Sequence, residues 1–275
     1  MRNLIGIFVV FAVLAGLSQA RAGLLTIDTS TNSLVSINET TGDTTVIGPT
    51  ASSSIRGLSY NPGSDLLFAV DTGSDTLMTV DPETGASTTI GLLGIGYPRG
   101  VTYDSNSGTL YAVDTLTDKL YTVNTTTGGS TPVSLNLLGF GSVQGLAFNT
   151  NTNTLYGIDS ASDQLLTIDI ETGVASAVGS LGFANLTGIT FDNATGTLYG
   201  VDGGSDALVT IDTVTGAASE IGTISIGTAE SLAWIPNPGI SALEADQLNA
   251  PSNFVLIGLG VLSVLRLRRR RPATT

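Results

Sequence analysis

The sequence predicts an all-β chain folded as a five-bladed β-propeller of four-stranded blades, with the last strand pairing into the first blade to close the ring. Three observations carry this. A Gly-x-x-aromatic step recurs at Gly57, Gly100, Gly145 and Gly188, at intervals of 43 or 45 residues, ending on Tyr60, Tyr103, Phe148 and Phe191. Ser231-Leu232-Ala233-Trp234 is a fifth copy. A Val/Ile-Asp pair recurs at the same spacing, with Asp28, Asp71, Asp114, Asp159 and Asp202. A period of about 40–45 residues suits one four-stranded blade. The third observation is a strand count. The first copy starts at Leu24 and lacks its leading strand, while the last copy is only a leading strand. The two fragments complete one blade if residues 231–234 join the N-terminal set, which removes the edges a linear array would expose. An open β-solenoid leaves that final strand without a role.

Residues 1–22 read as a secretory signal. Arg2 supplies the charge, residues 4–17 the apolar stretch, and Ala20-Arg21-Ala22 an A-x-A-like cleavage site. Residues 23–236 form the repeat domain, long enough for a sizeable apolar core. Within the unit that begins at Gly57, four short β-rich runs follow one another: a (57–60), b (66–70), c (77–80) and d (87–90). Each is too short for a helix and is bounded by Gly, Pro, Asn, Asp or Ser. The a–b link carries Asn61-Pro62-Gly63, and the c–d link carries Asp81-Pro82-Glu83-Thr84-Gly85. Gly there accepts positive φ at little steric cost. Leu110-Tyr111, Leu155-Tyr156 and Leu198-Tyr199 recur at the start of strand b and read as core.

Residues 237–252 are a linker holding Pro238, Gly239, Pro251, Glu244 and Asp246. Residues 253–275 read as a membrane-anchor or sorting tail. The stretch 254–265 is apolar or Gly/Ser, and an arginine cluster at Arg266, Arg268, Arg269, Arg270 and Arg271 follows. That run is short of the roughly 20 residues a spanning helix needs, but the cluster fits a cytoplasmic stop. Over residues 249–271 the tail resembles the PEP-CTERM sorting signal of exported bacterial proteins. It departs at the motif, where Asn249-Ala250-Pro251-Ser252 stands in place of Pro-Glu-Pro. The resemblance implies recognition by an exosortase sorting machinery in the envelope. The repeat region is similar to exported YVTN- or NHL-type propellers, which implies the fold and an extracellular or envelope setting.

Composition excludes several chemistries. With no cysteine and no histidine, the chain offers no disulfide, no thiolate, no Ser-His-Asp triad and no His-ligated zinc. Between the two terminal segments, Arg56, Arg99 and Lys119 stand against all 23 acidic residues, a formal charge of −20. Such a surface repels nucleic acid and favours solubility.

Candidate sites follow from propeller geometry. The d–a and b–c loops share one face, and the residue ahead of each strand a sits at the channel mouth. Those residues are Arg56, Arg99, Gln144, Thr187 and Glu230. Two guanidiniums beside a Gln suit a carboxylate or sugar hydroxyls by forked hydrogen bonds. The b–c loops bring Asp71 and Asp75, Asp114 and Asp118, Asp159 and Asp163, Asp202 and Asp206, with Asp28 and Asn32 in the first copy. Their hard oxygens suit Ca²⁺, yet the same residues cap tight turns by accepting backbone N–H bonds, which is the reading adopted. The sequence therefore points to a non-enzymatic binding or scaffold module for a glycan or a surface protein, without a cofactor. A polysaccharide hydrolase at the channel mouth is the alternative, and it needs paired carboxylates where strand a offers only Glu230.

Overall fold

The computed structural model describes residues 23–236. The expected signal, linker, sorting tail and C-terminal apolar helix lie outside the described residues. Twenty strands form five antiparallel four-stranded sheets. The second blade is typical: β4 (Ile55–Asn61), β5 (Leu66–Asp71), β6 (Thr76–Val80) and β7 (Ser87–Leu92), in sequence order across the sheet. Three further blades repeat it from β8 (Pro98–Asp104), β12 (Val143–Asn149) and β16 (Leu186–Asp192). The fifth is composite. Strand β20 (Ala233–Ile235) lies beside β1 (Gly23–Asp28), which is followed by β2 (Ser33–Ile37) and β3 (Thr44–Pro49).

The closing pairs are Gly23 with Ile235, Leu24 with Trp234 and Leu25 with Ala233. The seam continues beyond the regular ladder. The Thr26 hydroxyl donates to the Ser231 carbonyl at 2.6 Å, Asp28 bridges Ala229, and the Thr29 amide donates to Thr228 at 3.1 Å. The chain's two halves of one blade are thus joined along the whole of β1. The paired segment differs slightly from the expected 231–234, because Ser231 serves the seam with its hydroxyl and carbonyl rather than as a ladder residue.

Burial is greatest in strand b and least in the outermost strand d, and the sequence of each strand follows it. Strand b is buried almost throughout, as in Leu66–Asp71 and Thr197–Asp202. Blades cover both of its faces, so alternation disappears. Strand d, as in Ser87–Leu92, is exposed or half-buried along its length and rich in Thr and Ser. Aromatic pairs lock neighbouring blades. Tyr111 stacks on Phe148, Tyr156 on Phe191 and Tyr199 on Trp234, with ring centroids 5.7–6.0 Å apart. Phe68 packs tilted on Tyr103. Each contact joins a strand b to the strand a of the next blade, and Tyr111, Tyr156 and Tyr199 are core, as the sequence predicts.

Glycines mark where backbones of different blades meet. A Cβ on Gly100 would lie 2.4 Å from the Gln144 carbonyl, and one on Gly57 2.7 Å from that of Arg99. This is the reason for the Gly in Gly-x-x-aromatic: innermost strands converge on one axis. At the rim, a Cβ on Gly48, Gly91, Gly179 or Gly222 would meet a carbonyl of the c–d turn in a neighbouring blade at 2.0–2.2 Å. One rim joint differs. Its strand d is only Ser130–Pro132, and the Ser134 hydroxyl and Asn136 amide bind the Thr172 carbonyl instead, at 2.5 and 3.2 Å. The 45-residue step from Gly100 to Gly145 spans this departure.

Replacing Gly179 with Ala places a methyl inside backbone contact distance, so urea unfolding is expected to show a loss of about 1–3 kcal/mol. Gly141, whose added Cβ would meet nothing within 4 Å, is the control, and Gly141→Ala should leave the midpoint nearly unchanged.

Candidate functional site

Each innermost strand carries one extra residue, and that residue is a candidate site position. On β4 the register steps from Ile55–Asp71 to Gly57–Val70, leaving Arg56 as the excess. The same step leaves Gln144 on β12 and Thr187 on β16. On β8 it falls across Arg99 and Gly100. Between the Asp28–Ala229 bridge and the Leu25–Ala233 pair it falls across the stretch that begins with Glu230. The sequence placed these five residues just ahead of strand a. Arg56, Arg99, Gln144 and Thr187 lie within it instead, as β-bulges that bend the strand and redirect a side chain. All five are half-buried at one mouth of the channel.

The structure pairs these residues internally. Arg56 forms an ion pair with Glu230, and Arg99 Nη1 stands 4.0 Å from the same carboxylate. The Arg99 guanidinium lies over the Tyr97 ring, 4.5 Å from its centre, and donates to the Tyr97 hydroxyl at 3.1 Å. Burial lowers the Arg56 pKa, the Arg99 charge lowers it further, and Tyr97 acts in the opposite sense. The Arg56 Nε is buried without a hydrogen-bond partner. Gln144 Nε2 donates to the Ser160 hydroxyl at 2.5 Å, and the Thr187 hydroxyl donates to the Ala229 carbonyl at 2.8 Å. The structure therefore gathers Arg56, Arg99 and Glu230 and ties Gln144 and Thr187 to neighbouring loops. Two guanidiniums around one carboxylate leave a local excess of one positive charge on an acidic domain.

Below this mouth the channel closes. The void bounded by Gly57, Gly100, Gly145 and Gly188 is about 10 Å³, room for one water at most. A larger cavity of about 170 Å³ lies at the opposite mouth, under the a–b loops, where Tyr60, Tyr103, Phe148, Phe191 and Trp234 meet. The sequence shows these aromatics as the last residue of each Gly-x-x-aromatic step or its fifth copy and assigns them no site. Their periodicity is visible in the sequence, but periodicity does not show that they enclose a cavity.

The repeated aspartates bond to loops. Asp114 accepts the amides of Tyr97 and Leu116 at 2.8 and 3.0 Å, linking the d–a loop to the b–c turn. Asp159 does the same with Ser142 and Ser162, both at 2.9 Å, and Asp202 with Asn185 at 3.3 Å and Gly204 at 2.8 Å. Asp71 accepts the Gly73 amide at 2.8 Å. Asp75, Asp118, Asp163 and Asp206 occupy positive φ of 52–56°, as does Asn32 at 54°. Short polar side chains tolerate that region. One oxygen each of Asn32, Asp75, Asp118 and Asp163 is buried without a partner. Among the described residues no group of three or more potential ligands gathers around a common point.

No protein-family model matches this sequence, and no curated protein matches it. Solved structures do. A chain of the nidogen/laminin complex superposes with a TM-score of 0.57 at 13% identity, covering 78% of this chain and 98% of that one. A structural genomics protein from Bacteroides thetaiotaomicron VPI-5482 gives 0.53 at 16% identity, with 79% and 66% covered. Virginiamycin B lyase from Staphylococcus aureus gives 0.46 at 16% identity, with 74% and 70% covered. The fold is a β-propeller. At these identities the likeness extends to the architecture and to nothing finer.

Asp28 and Asp71 are held below the ordinary 3.8: burial acts upward, and hydroxyl and amide donors outweigh it. Asp169 and Asp212 are lowered by the backbone amides of their c–d turns, from Thr172 and Glu171 and from Thr215 and Val214. Asp163 is raised, by burial first and by the Asp202 charge. The lowered groups add stability present above the unfolded-state pKa of about 3.9, which is lost as pH falls through their folded values. Asp163 acts oppositely, adding stability below its ordinary value that is lost as pH rises through its folded one. The lowered set is larger, so melting temperature should drop between about pH 5 and pH 2. Asn38 and Asn124 make the same turn bonds with an uncharged amide, at 2.9–3.2 Å. Asp169→Asn with Asp212→Asn should therefore flatten the acid limb while leaving the neutral-pH fold intact. Asp163→Asn should raise the melting temperature at neutral pH.

Proposed function

We propose that this chain is an exported, non-enzymatic binding or scaffold module, held at the cell envelope or released to an extracellular matrix. Its partner is a glycan or a surface protein that meets the Arg56, Arg99 and Glu230 mouth. The observation that carries this reading is that the one acid among the five mouth positions, Glu230, is already paired with Arg56. Glycoside hydrolysis requires two carboxyl groups flanking the scissile bond, about 5–9.5 Å apart. Glu230 has no such companion among the mouth positions, and a carboxylate held by a guanidinium is a poor proton donor. What this mouth offers is recognition. The Arg99 guanidinium retains donors beyond its bond to Tyr97, and Tyr97 is 40% exposed beside it. A planar cation flanked by an aromatic ring suits carboxylate groups and sugar hydroxyls.

The envelope address is part of the proposal and rests on the sequence of residues 1–22 and 253–275. The apolar run and arginine cluster would supply membrane attachment and engagement of the sorting machinery. Neither a cofactor nor nucleic acid enters this reading.

An array of acidic and neutral glycans, probed with the purified protein, tests the binding role. Arg99→Ala should weaken retention about tenfold or more without lowering the melting temperature, since Arg56 still neutralises Glu230. Release of reducing ends from a polysaccharide would establish the hydrolase reading instead. Fractionation of cells carrying an epitope-tagged chain tests the location.

A further inference from the structure

The cavity at the second mouth lies across the ring from the arginines and is built differently. Its wall takes one aromatic from every blade: Tyr60, Tyr103, Phe148, Phe191 and Trp234. Three hydroxyl residues at equivalent positions of strand a complete it: Ser59, Thr102 and Thr190. Two of these are committed. The Ser59 hydroxyl accepts the Tyr103 amide at 2.8 Å, and that of Thr190 accepts the Trp234 amide at 3.0 Å. The hydroxyl of Thr102 makes no such bond among the described residues, although Thr102 is only 6% exposed. Its free hydroxyl opens on the cavity that the residue lines.

The rim is rigid. Asn106 Nδ2 donates to the Thr150 carbonyl at 2.8 Å, Asn193 Oδ1 accepts the Thr150 amide at 2.8 Å, and Asn151 Nδ2 donates to the Asn193 carbonyl at 2.6 Å. These bonds cross from blade to blade and tie three of the a–b loops together, which reduces the ordering that binding must impose.

Volume and chemistry restrict the occupant. About 170 Å³ holds a single six-membered ring, since benzene fits a cavity of about 150 Å³. The wall contains neither Lys nor Arg to attract an anion. Its one acid, Asp192, is engaged by the Ala194 amide at 2.9 Å and by the Thr195 hydroxyl. Its burial and its bonds leave it ill placed to receive a cation. Aromatic walls interleaved with hydroxyls, carrying no free charge, match a ring with apolar faces and hydroxyl edges. The geometry points to a binding site for one neutral pyranose unit, with the uncommitted Thr102 hydroxyl as a polar contact. This goes beyond the proposed role of the arginine mouth and does not depend on it.

Titration of the purified protein with D-glucose, D-galactose, D-mannose and N-acetyl-D-glucosamine, followed by saturation-transfer NMR, tests this. At least one sugar should bind saturably, with a dissociation constant of about 1 mM. Thr102→Val should weaken it about tenfold, and Ser105→Trp at the cavity wall should abolish it, both with unchanged melting temperature. Arg99→Ala should leave it intact, so a failure of the arginine mouth is read separately. The proposal is overturned if none of the four sugars saturates. It is also overturned if both cavity variants bind like the parent, if Arg99→Ala removes binding, or if choline binds in place of the sugars.

Discussion

Five strands that converge on one axis leave little space between their backbones. At Gly57 and Gly100 a single added carbon would enter the backbone of the adjoining strand. Much follows from that crowding. It sets the glycine of the repeat, reduces the central void to about 10 Å³, and prevents anything larger than water from passing along the axis. The ring therefore has two mouths that cannot communicate through an open channel. Each can take its own chemistry: guanidiniums and a carboxylate on one side, aromatic edges and hydroxyls on the other.

The sequence revealed the features that arise from local sterics repeated five times. A glycine forced by close approach, an aspartate closing a turn and an aromatic stacking on the preceding blade each leave a mark at a fixed interval. The closing strand was legible for a related reason, since residues 231–234 had no other partner once strands were counted. Pairings across the ring were not legible. Arg56 and Glu230 are joined only when the seam brings distant parts of the chain around one axis, and periodicity says nothing about which mouth residues face one another. The aromatic cavity is hidden in the sequence for a different reason. Phe148 and Phe191 are both stacking core residues and cavity lining, and one sequence signal serves both roles.

Repetition also separates scaffold from site. Asp28, Asp71, Asp114, Asp159 and Asp202 recur in every blade, and in each blade loop N–H or hydroxyl groups donate to them. The bulge position does the reverse. Its geometry is shared by the blades, yet its occupants are Arg, Arg, Gln, Thr and Glu. A bulge holds an extra residue outside the ladder, so its side chain takes its partners from the loops and the other mouth residues around it. The fold thus supplies five equivalent positions whose chemistry can vary at small cost to stability, at the one place where they converge.

Both mouths lean on the same short segment. Glu230 pairs with Arg56 on one side, Trp234 walls the cavity on the other, and the residues between them form the seam with β1. Opening the seam would leave Arg56 half-buried beside Arg99 without its carboxylate, and would remove one wall of the cavity. A ligand at either mouth would therefore recognise the closed ring alone. By mass action it would hold the closing strand in place, which couples occupancy of each mouth to the integrity of the whole ring even though the two do not touch.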